Sequence, residues 1–201
     1  MNEIVPEKER VIMKNGCAVL TPRQFYRLLD NLDPNIGYRM IVLALMNTGL
    51  RVVEFWKLVD NREWYHASAR VIDLPKAGTA KKIKSHRKER TVRLTVGGCK
   101  SLETVYNCGL KFRERDAMGG ALKRAAVKAG FGGKGIMPKM FRKMLGSWLV
   151  ECRRDLDIDS LDVTSHMGHD EKTLRDNYLG IGFEKRDHDD MVVFLKGWRG
   201  D

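Results

Sequence analysis

A mainly α fold with one small antiparallel β-sheet, an α+β chain, is what this sequence predicts, and three observations predict it. Apolar residues recur at helical spacing along most of the 201 residues. Extended, strand-like patterning is confined to residues 64–96. That stretch sits about a third of the way along, with helical segments on both sides of it.

The elements follow in order. Residues 1–20 mix charge with short apolar patches and read as an N-terminal arm, while 21–201 read as one domain closed by a tail helix. Thr21-Pro22 is a helix start, a hydroxyl N-cap before proline at the first helical position, and Phe25, Leu28, Leu29 and Leu32 then share a face. A second helix over 35–46 is apolar nearly all round, which predicts burial. Gly49 breaks it, and Val52, Val53, Phe55, Trp56 and Val59 carry a third. Val71, Ile72 and Leu74 read as strand, with residues 90–96 as the partner. After Gly97-Gly98, helices are expected over 101–108, 113–129, 138–156, 160–167 and 172–179, with a glycine-rich connection at 130–135. A last amphipathic helix over 189–198 carries Met191, Val192, Phe194, Leu195 and Trp198 as an apolar stripe. Trp56, Phe141 and Trp148 are expected in the core.

Charge points to the partner. Lys plus Arg number 37 against 26 Asp plus Glu, a net +11, which suits a polyanion because Lys and Arg displace its condensed counterions, and would also suit an anionic membrane surface. From Lys76 to Arg93 the chain holds eight basic residues and a single acid, Glu89. Such a run is a solvated hairpin tip or a finger that follows a DNA backbone, with Lys81, Lys82, Lys84, Arg87 and Lys88 as its candidate contacts. No apolar run reaches the ~18–20 residues of a bilayer span and no signal peptide opens the chain, so a soluble, cytoplasmic, nucleoid-associated protein is expected. Cys17, Cys99, Cys108 and Cys152 are scattered, which excludes a zinc ribbon or a disulfide framework. His166 and His169 share an HxxH spacing but lack a third ligand in any familiar pattern. Neither a carboxylate cluster for two metals nor a phosphate-binding GxxxxGK[ST] loop occurs, so no metal or cofactor is expected.

Three separated segments carry the candidate chemistry: Thr48-Gly49-Leu50-Arg51 with Glu54, Lys139 with Arg142, and Gly168-His169 with Tyr178 nine residues on. Singly each is ordinary. An arginine after a glycine usually lies on the surface, KxxR on a helix is common, and a tyrosine near a chain end usually packs.

In this order, with a basic hairpin between the arginines, they resemble the tyrosine recombinase (phage integrase) family. The first matches its TGLRxxE segment, Gly168-His169 with Tyr178 matches its LGHxxxxxxxxY segment, and Arg142 falls in the slot of its HxxR. Lys139 stands where that histidine would be, a variant similar to integrases of some archaeal mobile elements and viruses. The resemblance runs from Thr21 to Tyr178. The family's usual N-terminal DNA-clamping domain has no counterpart here, which implies either the catalytic domain of a longer recombinase or a small one.

The resemblance implies that Tyr178 attacks a DNA phosphodiester and forms a 3′-phosphotyrosyl link, without metal or high-energy cofactor. Arg51 and Arg142 would clamp the phosphate, since each guanidinium is always protonated and grips oxygens in a fork. Lys76 would protonate the leaving 5′-oxygen, with Lys82 and Lys84 as rivals. His169 is expected on the phosphate. The base for Tyr178 stays open between His169 and Lys139, the latter only if burial and neighbouring charge lower its pKa. Glu54 is expected to pair with Arg51. The implied partner is double-stranded DNA, and the implied assembly is a tetramer joined through the C-terminal stripe; folding of that stripe onto its own core is the alternative. Two other functions fit the same residues: strand relaxation of the type IB topoisomerase kind, and a non-catalytic basic DNA-binding protein of the same fold.

Overall fold

The computed structural model describes residues 10–34, 37–79, 89–110 and 115–198. It opens on a hairpin of β1 (Ile12–Lys14) and β2 (Cys17–Val19), closed by a two-residue turn at Asn15-Gly16 with φ of 49° and 71°. Positive φ at both positions is what a tight hairpin turn needs, and Asn-Gly is the pair that adopts it most readily. Cys17, Ala18, Val19 and Leu20 are buried. Residues 17–20, at the end of the expected arm, therefore belong to the core, and Val11 and Ile12 pack partly against it. Three-residue strands are too short to leave a periodic pattern.

Helix α1 (Pro22–Asp30) starts as expected, with Thr21 and Gln24 forming a reciprocal capping box. Helix α2 (Tyr38–Thr48) ends at the left-handed Gly49, and α3 (Val52–Asp60) follows at once. The sheet has the antiparallel order β3 (Tyr65–His66), β4 (Val71–Leu74), β5 (Arg90–Arg93), with Ile72 opposite Val92 and Leu74 opposite Arg90. Helix α4 (Val96–Asn107) begins earlier than expected and contains Gly97-Gly98. Gly98 serves approach between helices: a Cβ on it would stand 3.1 Å from the Asn47 Cβ of α2.

Then come α5 (Arg115–Lys128), α6 (Lys139–Glu151), α7 (Ser160–Met167), α8 (Glu171–Tyr178) and α9 (Lys185–Leu195). Helix α6 is the axis of the fold. Every residue from Met140 to Val150 is buried, and α2, β2, α7, α8 and α9 all pack on it. Phe25, Phe141, Trp148 and Phe194 meet there edge to face, whereas Trp56 is only partly buried. The stripe of the last helix folds onto this core: Met191, Leu195 and Trp198 are buried, and Arg23 pairs with Asp190 at 2.7 Å. No helix among the described residues is long and apolar enough to cross a membrane.

Candidate active site

Four of the residues singled out by sequence converge around the start of α6. Arg142 lies on its first turn and is 7% exposed. Its Nη1 donates to the Gly49 carbonyl at 2.7 Å, and its Nη2 donates to the Met167 carbonyl. One guanidinium thus ties the segment before Arg51 to the segment before His169. A lysine ammonium has no planar fork with which to span both. Burial, then the neighbouring Arg51, lowers the Arg142 pKa to about 10, so it stays a cation at neutral pH.

The His169 position is set by a glycine turn. Gly168 ends α7 at φ 61°, with its N–H on the Ser165 carbonyl and the His169 N–H on the Thr164 carbonyl. This is a Schellman motif, and only a residue at ease with positive φ closes it. Asp170 then caps α8 by accepting from the Thr173 N–H at 2.7 Å. Tyr178 ends that helix, and its ring reaches back beside the His169 imidazole, 5.9 Å between centroids. The His169 Nε2 lies 3.1 Å from the Tyr178 Oη and 3.1 Å from the Arg142 Nη2. Arginine can only donate, so a neutral imidazole meets it through the Nε2 lone pair, which the guanidinium and the phenol share. The imidazole therefore faces the phenol as an acceptor.

Tyr178 is 5% exposed, and burial raises its pKa above the ordinary tyrosine value despite the pull of Arg142 and Arg51. The free protein holds it neutral. Its ring lies on the backbone of α6 at Gly146, where an added Cβ would stand 2.6 Å from the Tyr178 Cε1.

Beside this cluster opens a cavity of about 470 Å³ lined by Arg51, Thr79, Arg90, Thr164, Gly168 and His169, among others. Arg51 pairs with Glu54 at 2.7 Å, and the Glu54 carboxylate also accepts the Arg51 backbone N–H. Glu54 is fully buried. Burial alone would raise its pKa, but Arg90, Arg142 and Arg51 together outweigh that and lower it to about 2. Arg90 is the residue that sequence reasoning missed. It donates to Glu54 at 2.8 Å and to the His166 carbonyl at 3.1 Å, with its side chain only 6% exposed. The signal was present in the strand alternation: Arg90 and Val92 share one face of β5, Leu94 follows at the same period, and the latter two are core.

Two other expected participants, Lys139 and Lys76, stand apart from this cluster. Lys139 is exposed at the start of α6 and forms no hydrogen bond or ion pair with a described residue, so the burial that a lysine base needs is not supplied. Lys76 sits in the short 3-10 turn after β4, 68% exposed and 3.8 Å from Glu89. Lys81, Lys82, Lys84, Arg87 and Lys88 lie outside the described residues. The HxxH imidazoles diverge: His166 turns inward and its Nδ1 accepts the Arg93 N–H at 3.2 Å, while Gly168 swings His169 toward Tyr178. Burial, then Arg90 and Arg142, lowers the His166 pKa to about 3, so it is neutral.

The fold is that of tyrosine recombinase catalytic domains. The Tn1549 transposon integrase, solved with circular intermediate DNA, superposes with a TM-score of 0.63 at 17% identity, over 85% of this chain and 65% of that one. XerA recombinase superposes at 0.62 and 15% identity, over 94% of this chain and 67% of that one. A variant of the same integrase, solved with transposon right end DNA, gives 0.61 and 17% over 90% and 66%. The chain thus spans about two thirds of the length of the structures it matches. No family model and no curated protein matches it by sequence.

Proposed function

We propose that this chain is a site-specific DNA recombinase of the integrase kind, which cleaves and rejoins strands through a 3′-phosphotyrosyl intermediate on Tyr178. The observation that carries the reading is the chain of contacts Arg142 Nη2, His169 Nε2, Tyr178 Oη, each step 3.1 Å, beside a cavity that Arg51 lines. A phenol, a hydrogen-bond acceptor for its proton and two arginines are the parts that phosphoryl transfer to tyrosine requires.

In the proposed step His169 takes the phenol proton as the Tyr178 oxygen bonds to phosphorus. This gives His169 the role of base, where the sequence alone had favoured phosphate contact. Arg51 and Arg142 hold the non-bridging oxygens as charge builds on them. The phosphorus–5′-oxygen bond breaks, and that oxygen takes its proton from Lys76 on the loop. Return of a 5′-hydroxyl to the phosphotyrosine reverses each transfer. Lys82 and Lys84 act as backbone contacts, and each loss should flatten the salt dependence of binding by about one unit of log–log slope. Lys139 in place of histidine is the form similar to integrases of archaeal mobile elements and viruses.

The burial of Met191, Leu195 and Trp198 on their own core favours a second reading, relaxation by a monomer. Strand exchange in a tetramer joined through this helix would first have to release it. A pool of nicked duplexes with randomised cores, run on a denaturing gel after incubation, tests the main reading: a covalent protein–DNA band should appear with wild type and vanish with Tyr178→Phe. Duplexes recovered from that band then distinguish exchange between two DNAs from plasmid relaxation. Absence of any band overturns both readings.

A further inference from the structure

The turn of the N-terminal hairpin reaches the helix that carries Tyr178, about 160 residues away in sequence, and brackets the tyrosine on both sides. Asn15 Nδ2 donates to the Asp176 carbonyl at 3.3 Å and to the Asn177 Oδ1 at 3.0 Å. Lys14 Nζ donates to the Leu179 carbonyl at 2.9 Å. These acceptors lie two residues before, one before and one after Tyr178.

The helix has need of them. Helix α8 is eight residues long, and among the described residues no backbone N–H caps its C-terminal end. The last carbonyls of a helix are orphans, and a short helix left this way frays from the end that here bears the candidate nucleophile. A cation and an amide donor are what that negative end attracts.

The hairpin is itself firmly seated. The left-handed Asn15 aims its amide, the Ala18 N–H bonds to the Gly135 carbonyl at 3.0 Å, and β2 packs on α6. Asn177 joins the two sides, because its Oδ1 also accepts from Lys143 Nζ of α6 at 3.3 Å. The tyrosine helix is therefore held from both its flanks.

We propose that Lys14 and Asn15 are positioning residues for the nucleophile: the hairpin caps the tyrosine helix from outside and fixes the phenol against His169. The inference rests on Tyr178 being the nucleophile. A misplacement of the attacking oxygen by about an ångström costs rate, not DNA affinity, because the phosphate contacts are unaffected.

The test is Asn15→Gly, Lys14→Met and the double variant. Glycine keeps the turn, since it adopts positive φ freely, and removes only the amide. On the duplex recovered from the covalent band, single-turnover cleavage should fall about 5- to 30-fold in the double variant, with affinity within about twofold of wild type. Lys14→Arg should restore the rate to Lys14 variants, as it still donates to the Leu179 carbonyl. Amide exchange should quicken over the last helical residues, 175–178, and not in α6. Unchanged cleavage, or a loss that tracks a fall in the global melting temperature with faster exchange throughout, overturns the proposal. If wild type itself gives no covalent band, it is the reading of Tyr178 that fails. Exchange then still decides the capping, which unchanged protection at 175–178 would refute.

Discussion

One turn of α6 separates two basic residues with opposite fates. Arg142 is buried, with its guanidinium committed to two carbonyls and an imidazole, whereas Lys139, three residues earlier, stands in solvent. The contrast extends to their surroundings. The Glu54 carboxylate shared by Arg51 and Arg90 is fully buried, and to leave such a charge with no partner at all costs about 3–5 kcal/mol. The Lys76–Glu89 pair is 68% and 74% exposed and is held at 3.8 Å, where pairs contribute at most about 1 kcal/mol. The difference teaches a division of labour. Groups that meet charge forming on phosphorus work best when already fixed, because nothing then reorganises during the reaction. Groups that follow a DNA backbone or deliver a proton need reach, which burial would remove.

The sharpest way to break that division is at its centre. Tyr178→Phe should abolish covalent adducts entirely while DNA binding, measured by gel shift, stays within about twofold of wild type, since one hydroxyl adds little to many phosphate contacts. Adducts that persist would move the nucleophile elsewhere.

Next in size are the arginines. Arg51→Ala and Arg142→Ala should each slow cleavage by at least ~10²-fold, as loss of a transition-state donor does. They should part on stability. Arg142→Ala strands the carbonyls of Gly49 and Met167 and should melt several degrees lower, whereas in Arg51→Ala the Glu54 carboxylate keeps Arg90. Equal melting temperatures would show that the buried arginine is no more structural than the open one.

On the exposed side, Lys76→Ala should slow cleavage of ordinary DNA yet leave the melting temperature unchanged. A substrate with sulfur at the 5′-bridging position has a leaving group that needs no proton, so the variant should cut it nearly as fast as wild type does. Sulfur rescue of Lys84→Ala, and not of Lys76→Ala, would transfer the acid to Lys84.

The smallest effect concerns pH. His166 has its folded pKa depressed to about 3, so the unfolded chain binds a proton that the folded chain refuses. Stability from this group is whole above the unfolded histidine pKa of about 6.5 and is lost as pH falls from there toward 3, by at most about 1.4 kcal/mol per pH unit. Glu54, held at about 2, adds its own loss only below the usual carboxylate pKa, at about pH 4 and lower. His166→Asn should therefore flatten the decline between pH 6.5 and 4.5 in urea melts, whatever it does to stability at neutral pH.

What the sequence disclosed follows from how local each signal is. That Arg51, Arg142, His169 and Tyr178 should come together was legible because each lies in a short segment of fixed spacing, and the helix starts at Thr21 and Asp159 carry their caps beside them. Arg90 was hidden among the charges of the loop, although the alternation of β5 marks it as inward. The hairpin was illegible in kind: its strands are three residues long, and the acceptors of Lys14 and Asn15 lie at the other end of the chain. HxxH spacing alone could not show that His166 faces inward from α7 while His169 lies beyond the left-handed Gly168.

Gly146 shows what such a site denies to protein engineering. Replacement of a mid-helix glycine by alanine ordinarily gains about 0.8–1.0 kcal/mol of helix propensity, and is among the first changes tried to raise heat tolerance. Here the new methyl group would land on the tyrosine ring, with the Met167 Cε at 3.0 Å on its other side. The same substitution that stiffens the central helix would push away the tyrosine ring that packs on it. Thermal resistance in this chain has to be sought on faces that α8 does not touch.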